Sequence, residues 1–137
     1  MTIDTPSSGQ ISQLWNLWRE AFGDSGAFLE AFFDTAYSPE RCLCVSENST
    51  VAAAVYWFNC TCRGQKLAYI YALATSVKYR GRGVAHRLMD TVHHTLEQQG
   101  YEGVILIPVT QTLRGFYEGM GYRTCSRISA KYFSVWK

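Results

Sequence analysis

The order of elements legible in this sequence predicts an α+β layer sandwich: a central, mostly antiparallel twisted sheet with one parallel pair, and helices on both faces. Three observations carry that prediction. Two segments with an apolar stripe at helical spacing come first, between Gln10 and Tyr37. Three strand-like segments then follow with only short turns between them, which makes an antiparallel meander. The last of these, Lys66 to Ser76, is joined through a helical segment to another apolar strand, Gly103 to Pro108, and a helical crossover makes that pair parallel. With 137 residues, 47% of them hydrophobic, the chain is expected to be one domain over 1–137, with a real core and no appended domain.

Each element has its own warrant. From Gln10 to Phe22, Ile11, Leu14, Trp15, Trp18, Ala21 and Phe22 share a stripe, with Ser7, Ser8 and Gly9 as cap candidates before it. The run Gly23 to Gly26 breaks that helix. A second helix is expected from Gly26 to Tyr37, with Phe28, Leu29, Phe32 and Phe33 inward, and Ser38-Pro39 closes it. Arg41 to Glu47 and Val51 to Cys62 read as strands joined by the turn Glu47 to Thr50, and Arg63-Gly64-Gln65 turns into the third. Thr110 to Gly119 reads as a short helix with Gly121 as its exit, and Tyr122 to Cys125 and Ser129 to Trp136 are the remaining strand candidates.

The stretch from Leu67 to Gln99 organises the rest. Leu67 to Thr75 is an uncharged run of apolar, aromatic and β-branched residues, so it reads as a buried strand. Val84, Ala85, Leu88, Met89, Val92 and Leu96 then recur at helical spacing until Gly100. The loop between, Arg80 to Gly83, therefore joins a strand to a helix N-terminus. Two glycines allow close backbone approach, and the first N–H groups of the helix form an anion site reinforced by the dipole. Pyrophosphate suits that geometry. The segment Arg63 to Arg87 carries Arg63, Lys66, Lys78, Arg80, Arg82 and Arg87 without one Asp or Glu. Neither Gly-x-Gly-x-x-Gly nor a Gly-Lys-Ser/Thr loop is present.

What is present is Arg-x-x-Gly-x-Ala, Arg80 through Ala85, and downstream Phe116-Tyr117-Glu118-Gly119-Met120-Gly121-Tyr122. In this order the pair resembles the acyl-coenzyme A loop and the "Phe-Tyr-x-x-x-Gly-Phe/Tyr" segment of the GCN5-related N-acetyltransferase (GNAT) family. Residues 17–24, Leu106-Ile107-Pro108, Leu113 and Phe116-Tyr117 are similar to the N-terminal acetyltransferase domain of the group named for enhanced intracellular survival. Those proteins carry further domains, so their substrates are not carried over.

The resemblance implies acetyl transfer from acetyl-coenzyme A to a primary amine of a small molecule or peptide. It implies that the parallel pair splays apart and that the pantetheine arm bonds along the gap, to the backbone of Leu73 and Thr75. It places the pyrophosphate on Arg80, Gly81, Arg82, Gly83, Val84 and Ala85. Thr110 stands where many members have a cofactor-contacting Asn. Tyr117 is the implied general acid for the departing sulfur. The first two helices and their connection would wall the acceptor site, which nominates Asp24 for substrate selectivity. Several members place a Glu base on the long strand, but Leu67 to Ser76 has no acidic residue. Tyr69 or Tyr71 ordering a water, Glu47 and the chain-end carboxylate are the candidates that remain. A catalytically idle acyl-coenzyme A-binding module of the same fold is the alternative.

Charge and cysteine content narrow the classes. The net charge of +2 divides into −5 for residues 1–40 and +7 for the rest, a basic part suited to a phosphorylated cofactor. The acidic part suits a cationic substrate or simply solvates two helices. Four of the five cysteines form Cys42-x-Cys44 and Cys60-x-Cys62. Residues i and i+2 of a strand stand about 6–7 Å apart, so buried reduced thiols are preferred to a four-thiolate zinc site, and no metal is expected. His86, His93 and His94 read as surface residues of the helix. The uncharged strand inside the basic segment argues against a nucleic-acid face. No stretch has the length of a membrane span and the N-terminus lacks a signal pattern, so a cytoplasmic enzyme without membrane contact is expected, with a homodimer among its assemblies.

Overall fold

The computed structural model describes residues 1–124. The described residues divide into two compact units, Met1–Leu106 and one that begins at Ile107. The first holds β1 (Thr2–Asp4), α1 (Ile11–Phe22), α2 (Gly26–Ala31), β2 (Cys42–Glu47), β3 (Thr50–Cys62), β4 (Gln65–Thr75), α3 (Val84–Gln98) and β5 (Gly103–Leu106). Its sheet has the order β1-β2-β3-β4-β5. Every neighbouring pair is antiparallel except β4 and β5, which are parallel. The described part of the second unit holds α4 (Gln111–Glu118). The α+β sheet and its single parallel pair are those expected from the sequence.

Local chemistry fixes the elements that face the site. Ser7 and Gln10 form a capping box ahead of α1, and Gly23 at φ 68° ends the helix. The Ser25 hydroxyl accepts from the Phe28 N–H at 3.1 Å and caps α2. The expected helix to Tyr37 is shorter than that. After Ala31 it widens into a π turn over Phe32–Ala36, and Tyr37 is extended. Pro39 disfavours helical backbone at Ser38, and the Arg41 guanidinium donates to the Ala36 carbonyl at 3.0 Å, so the last turn is satisfied from outside.

Two layers of core follow from strand alternation. On one face α1, α2 and the π turn bury Leu14, Leu17, Trp18, Leu29 and Phe32 against Cys42, Cys44, Ala54, Tyr56, Ala72 and Ala74. On the other face α3 packs on β2, β3 and β4 through Val84, Leu88, Met89, Val92 and Leu96, all buried. Cys42 and Cys44 are thus buried thiols, and burial pushes both up from the ordinary thiol range. Cys60 and Cys62 lie at the far end of β3, half-buried and exposed. Among the described residues no three His, Cys, Asp or Glu side chains gather as metal ligands.

Three features depart from the expected pattern. β1 pairs with β2 at the sheet edge and was not anticipated, because three residues are too few to show alternation. β5 stops at Leu106 rather than Pro108; a proline has no N–H for the ladder. The register of β3 against β4 slips once: Tyr56 faces Ala72 but Trp57 faces Ile70, so Tyr71 is an extra residue on β4. At such a bulge two consecutive side chains share a face, and Tyr71 and Ala72 both pack into the α1/α2 core. Tyr122–Thr124 carry no strand, and Cys125 and Ser129 to Trp136 lie outside the described residues.

Candidate active site

The site is built on the C-terminal half of β4. Pairing with β5 covers only Leu67 to Ile70, opposite Gly103 to Leu106. From Tyr71 to Thr75, β4 continues with no strand partner on that side among the described residues. Ladder alternation says which backbone groups face the opening. The Ser76 N–H donates to the Ala52 carbonyl at 2.8 Å, which makes Ala53–Thr75 a pair without mutual hydrogen bonds. Two residues back, Val55–Leu73 has the same character, so Leu73 and Thr75 direct their N–H and C=O groups to the open side.

The loop that follows is shaped by left-handed glycines. Gly81 and Gly83 have φ of 78° and 72°, a conformation only glycine adopts without strain, and nothing crowds the position of a Cβ at either. Gly83 is the N-cap of α3, so the N–H groups of Val84 and Ala85 begin the helix at the loop. The Arg82 guanidinium lies over the Tyr79 ring, 5.4 Å from its centroid, and is exposed. The Arg80 Nε donates to the Thr75 carbonyl at 3.1 Å, so this side chain turns back toward β4. The open strand edge, the glycine turn and the helix start are continuous in space as in sequence. They fit a ligand that carries amide groups at one end and a pyrophosphate at the other, as coenzyme A does.

Asp24, Tyr69 and Tyr71 come together on the α1/α2 face. Trp18 donates its indole N–H to Asp24 Oδ2 at 2.9 Å, fixing a half-buried carboxylate in the α1–α2 connection. Tyr71 stacks on Phe32, meets Phe58 edge-on at 5.2 Å between centroids, and stands 6.2 Å from Tyr69. Burial first, then the nearby Asp24 charge, pushes the Tyr71 phenol above its usual range; burial and then Tyr71 do the same to Tyr69. Glu47 stands elsewhere. It is at the end of β2 and accepts from the Tyr79 hydroxyl at 3.3 Å. His86 and His94 are exposed, with His86 Nδ1 3.2 Å from Asp90, and burial lowers His93.

In the second unit Thr110 is the N-cap of α4, its hydroxyl accepting from the Leu113 N–H at 3.1 Å. Its side chain therefore has a structural use of its own. Tyr117 is buried, 7% exposed, with its ring edge-on to Phe116 and Tyr122. Burial raises its phenol above the usual range, so it holds its proton. Sequence reading missed Trp18 and Tyr79. Each looked like an ordinary aromatic, and only the fold brings Asp24 to one and Glu47 and Arg82 to the other.

Comparison with known proteins bears on the family and the fold. Residues 2–125 match the family profile described as "Acetyltransferase (GNAT) domain". A probable N-acetyltransferase family 8 member 5 from Mus musculus is 32% identical over 68 residues, which take in 48% of this chain and 30% of that protein. The ribosomal-protein-alanine N-acetyltransferase from Brucella melitensis biovar Abortus superposes with a TM-score of 0.74 at 13% identity, covering 94% of this chain and 96% of that one. A transcriptional regulator from Bacillus halodurans gives a TM-score of 0.74 at 16% identity, over 93% and 96% of the two chains. These structures share the fold. The family match across nearly the whole sequence says more: this chain belongs to the GNAT acetyltransferase family.

Proposed function

We propose that the chain transfers an acetyl group from acetyl-coenzyme A to a primary amine of a small molecule or peptide. The observation that carries this reading is the open edge at Leu73 and Thr75, which runs directly into the left-handed glycine loop and the start of α3. Leu73 and Thr75 would hold the pantetheine amides through their backbone. Gly81, Gly83, Val84 and Ala85 would take the pyrophosphate through N–H groups, with Arg82 and Arg80 adding charge, and the family resemblance nominates Thr110 as a further cofactor contact. Bound there, acetyl-coenzyme A would supply an activated acyl carbonyl with coenzyme A thiolate as the leaving group. Asp24 attracts the protonated amine, and the Tyr69 and Tyr71 rings with Phe58 form the apolar wall against which it is held. A water ordered by Tyr69 or Tyr71 takes the ammonium proton, so that the neutral amine attacks the acyl carbonyl. Tyr117, kept neutral by burial, donates its phenolic proton to the departing sulfur.

A catalytically idle binder of acyl-coenzyme A is the second reading. It is favoured by one observation: β4 carries no carboxylate, and Glu47, an alternative base, is held by Tyr79. Two measurements decide. Calorimetry with acetyl-coenzyme A should show binding, and a thiol-release screen over amines should show turnover. Binding without release for any amine supports the idle module, and absence of binding removes both readings. The enzyme is expected in the cytoplasm, away from membranes and nucleic acid; no helix among the described residues is long and apolar enough to cross a membrane.

A further inference from the structure

Glu47 is an unexpected residue to find beside an anion loop. A carboxylate near a bound pyrophosphate is unfavourable by charge alone, so its place needs another account. Its mounting is rigid. The β2–β3 hairpin turns through Asn48 and Ser49, both with positive φ (50° and 69°), and Glu47 pairs with Thr50 across it. Gln13 of α1 clamps this turn from the helix side: its Oε1 accepts from the Val51 N–H at 2.8 Å and its Nε2 donates to the Ser49 carbonyl at 3.1 Å. From that fixed base the carboxylate accepts the Tyr79 hydroxyl at 3.3 Å. Tyr79 is half-buried in the turn Val77–Tyr79, and its ring lies under the Arg82 guanidinium at 5.4 Å.

We propose that Glu47 is a positioning residue for the cofactor loop. Its carboxylate holds Tyr79 as a platform, and Arg82 stacked on that platform is pre-set for a diphosphate. The residue acts from two strands away and touches no ligand. This rests on the reading of the loop as a coenzyme A site and adds to it. An arginine on a free stem loses rotamer freedom when it binds phosphate; one already stacked on a fixed ring loses less. The role also gives Glu47 a task other than taking the amine's proton.

The test is calorimetry with coenzyme A on the full chain, with folding checked by circular dichroism on the same samples. Glu47→Ala and Tyr79→Phe should each weaken binding by about three- to tenfold, the range for re-immobilising one long side chain. The double variant should be no weaker than either single one, because both remove the same contact. Glu47→Gln keeps an acceptor oxygen and should bind within about twofold of the wild type. Tyr79→Phe keeps the ring, so it carries the test even if Glu47→Ala disturbs the hairpin. Wild-type binding by both Glu47→Ala and Tyr79→Phe overturns the proposal, as does tighter binding by Glu47→Gln, which would make the carboxylate a plain electrostatic burden. A Glu47→Gln protein that binds normally but loses turnover by about 10²-fold makes Glu47 the base and also overturns it. If the wild type itself fails to bind coenzyme A, the cofactor reading falls with it.

Discussion

Tyr117→Phe removes one hydroxyl and keeps the ring that packs with Phe116 and Tyr122. If that hydroxyl protonates the leaving thiolate, turnover falls by about 10²-fold or more while cofactor affinity holds. A merely structural hydroxyl would instead cost roughly 1 kcal/mol of stability and leave turnover alone. Thiol release and melting temperature on one preparation separate the two. Asp24 calls for a different readout. Asp24→Asn removes the charge, so the Michaelis constant for the amine should rise more than turnover falls, since ground state and transition state lose the same attraction. Trp18→Phe should move the same constant in the same direction by a smaller amount, because it releases the carboxylate without deleting it. Unchanged kinetics in both would return Asp24 to solvation. The sequence nominates Tyr117 through a motif and Asp24 through the family resemblance, in which the first two helices and their connection wall the acceptor site. Trp18 was not legible: an indole N–H pointed at a loop residue looks, in sequence, like any other core tryptophan.

At the scale of elements, Gly83→Val tests the loop. Valine at φ 72° is strained and places branched carbons at the start of α3, so coenzyme A binding should be lost while the dichroism spectrum keeps its helical signal. Retained binding in a folded Gly83→Val protein would remove the loop from the site. The strand, loop and helix around Gly83 were legible because each signal is local: an uncharged run, two glycines, then an apolar stripe. What alternation could not show is an extra residue. Reading β4 as one buried run hides the bulge at Tyr71, since every position from Leu67 to Ala74 is apolar or aromatic. The π turn after Ala31 was hidden for a similar reason, its phenylalanines fitting either helical period. Arg80 shows the reverse limit. Its charge pointed to phosphate, yet its Nε is bonded to the Thr75 carbonyl, a contact set by loop geometry alone.

The whole molecule stores a pH response in its buried acids. Cys42, Cys44, Tyr37, Tyr56, Tyr69, Tyr71, Tyr117 and Tyr122 are all raised, burial being the first cause in each. On unfolding, their thiols and phenols return to about 8.5 and about 10. Below those values both states are neutral and the native state keeps its full stability. Above them the unfolded chain releases protons first, so stability falls with rising pH, gently from about 8.5 and steeply beyond about 10. Urea midpoints measured between about pH 7 and 11 should decline in that order; a flat profile would mean that these groups are not shielded as described. The bulge bears on something broader than geometry. Upstream of it β4 offers the α1/α2 layer the rings of Tyr69 and Tyr71; downstream it offers only Ala72 and Ala74, opposite Tyr56 and Ala54. Mutational freedom is therefore divided along a single strand: exchanging the half-buried Tyr69 ring would reshape the proposed amine wall at less cost than exchanging Tyr71, which packs on Phe32 and Phe58, and enlarging either alanine pries α1 from the sheet. On the proposed acceptor reading, a search for altered preference has its natural library at position 69, with 72 and 74 left as they are.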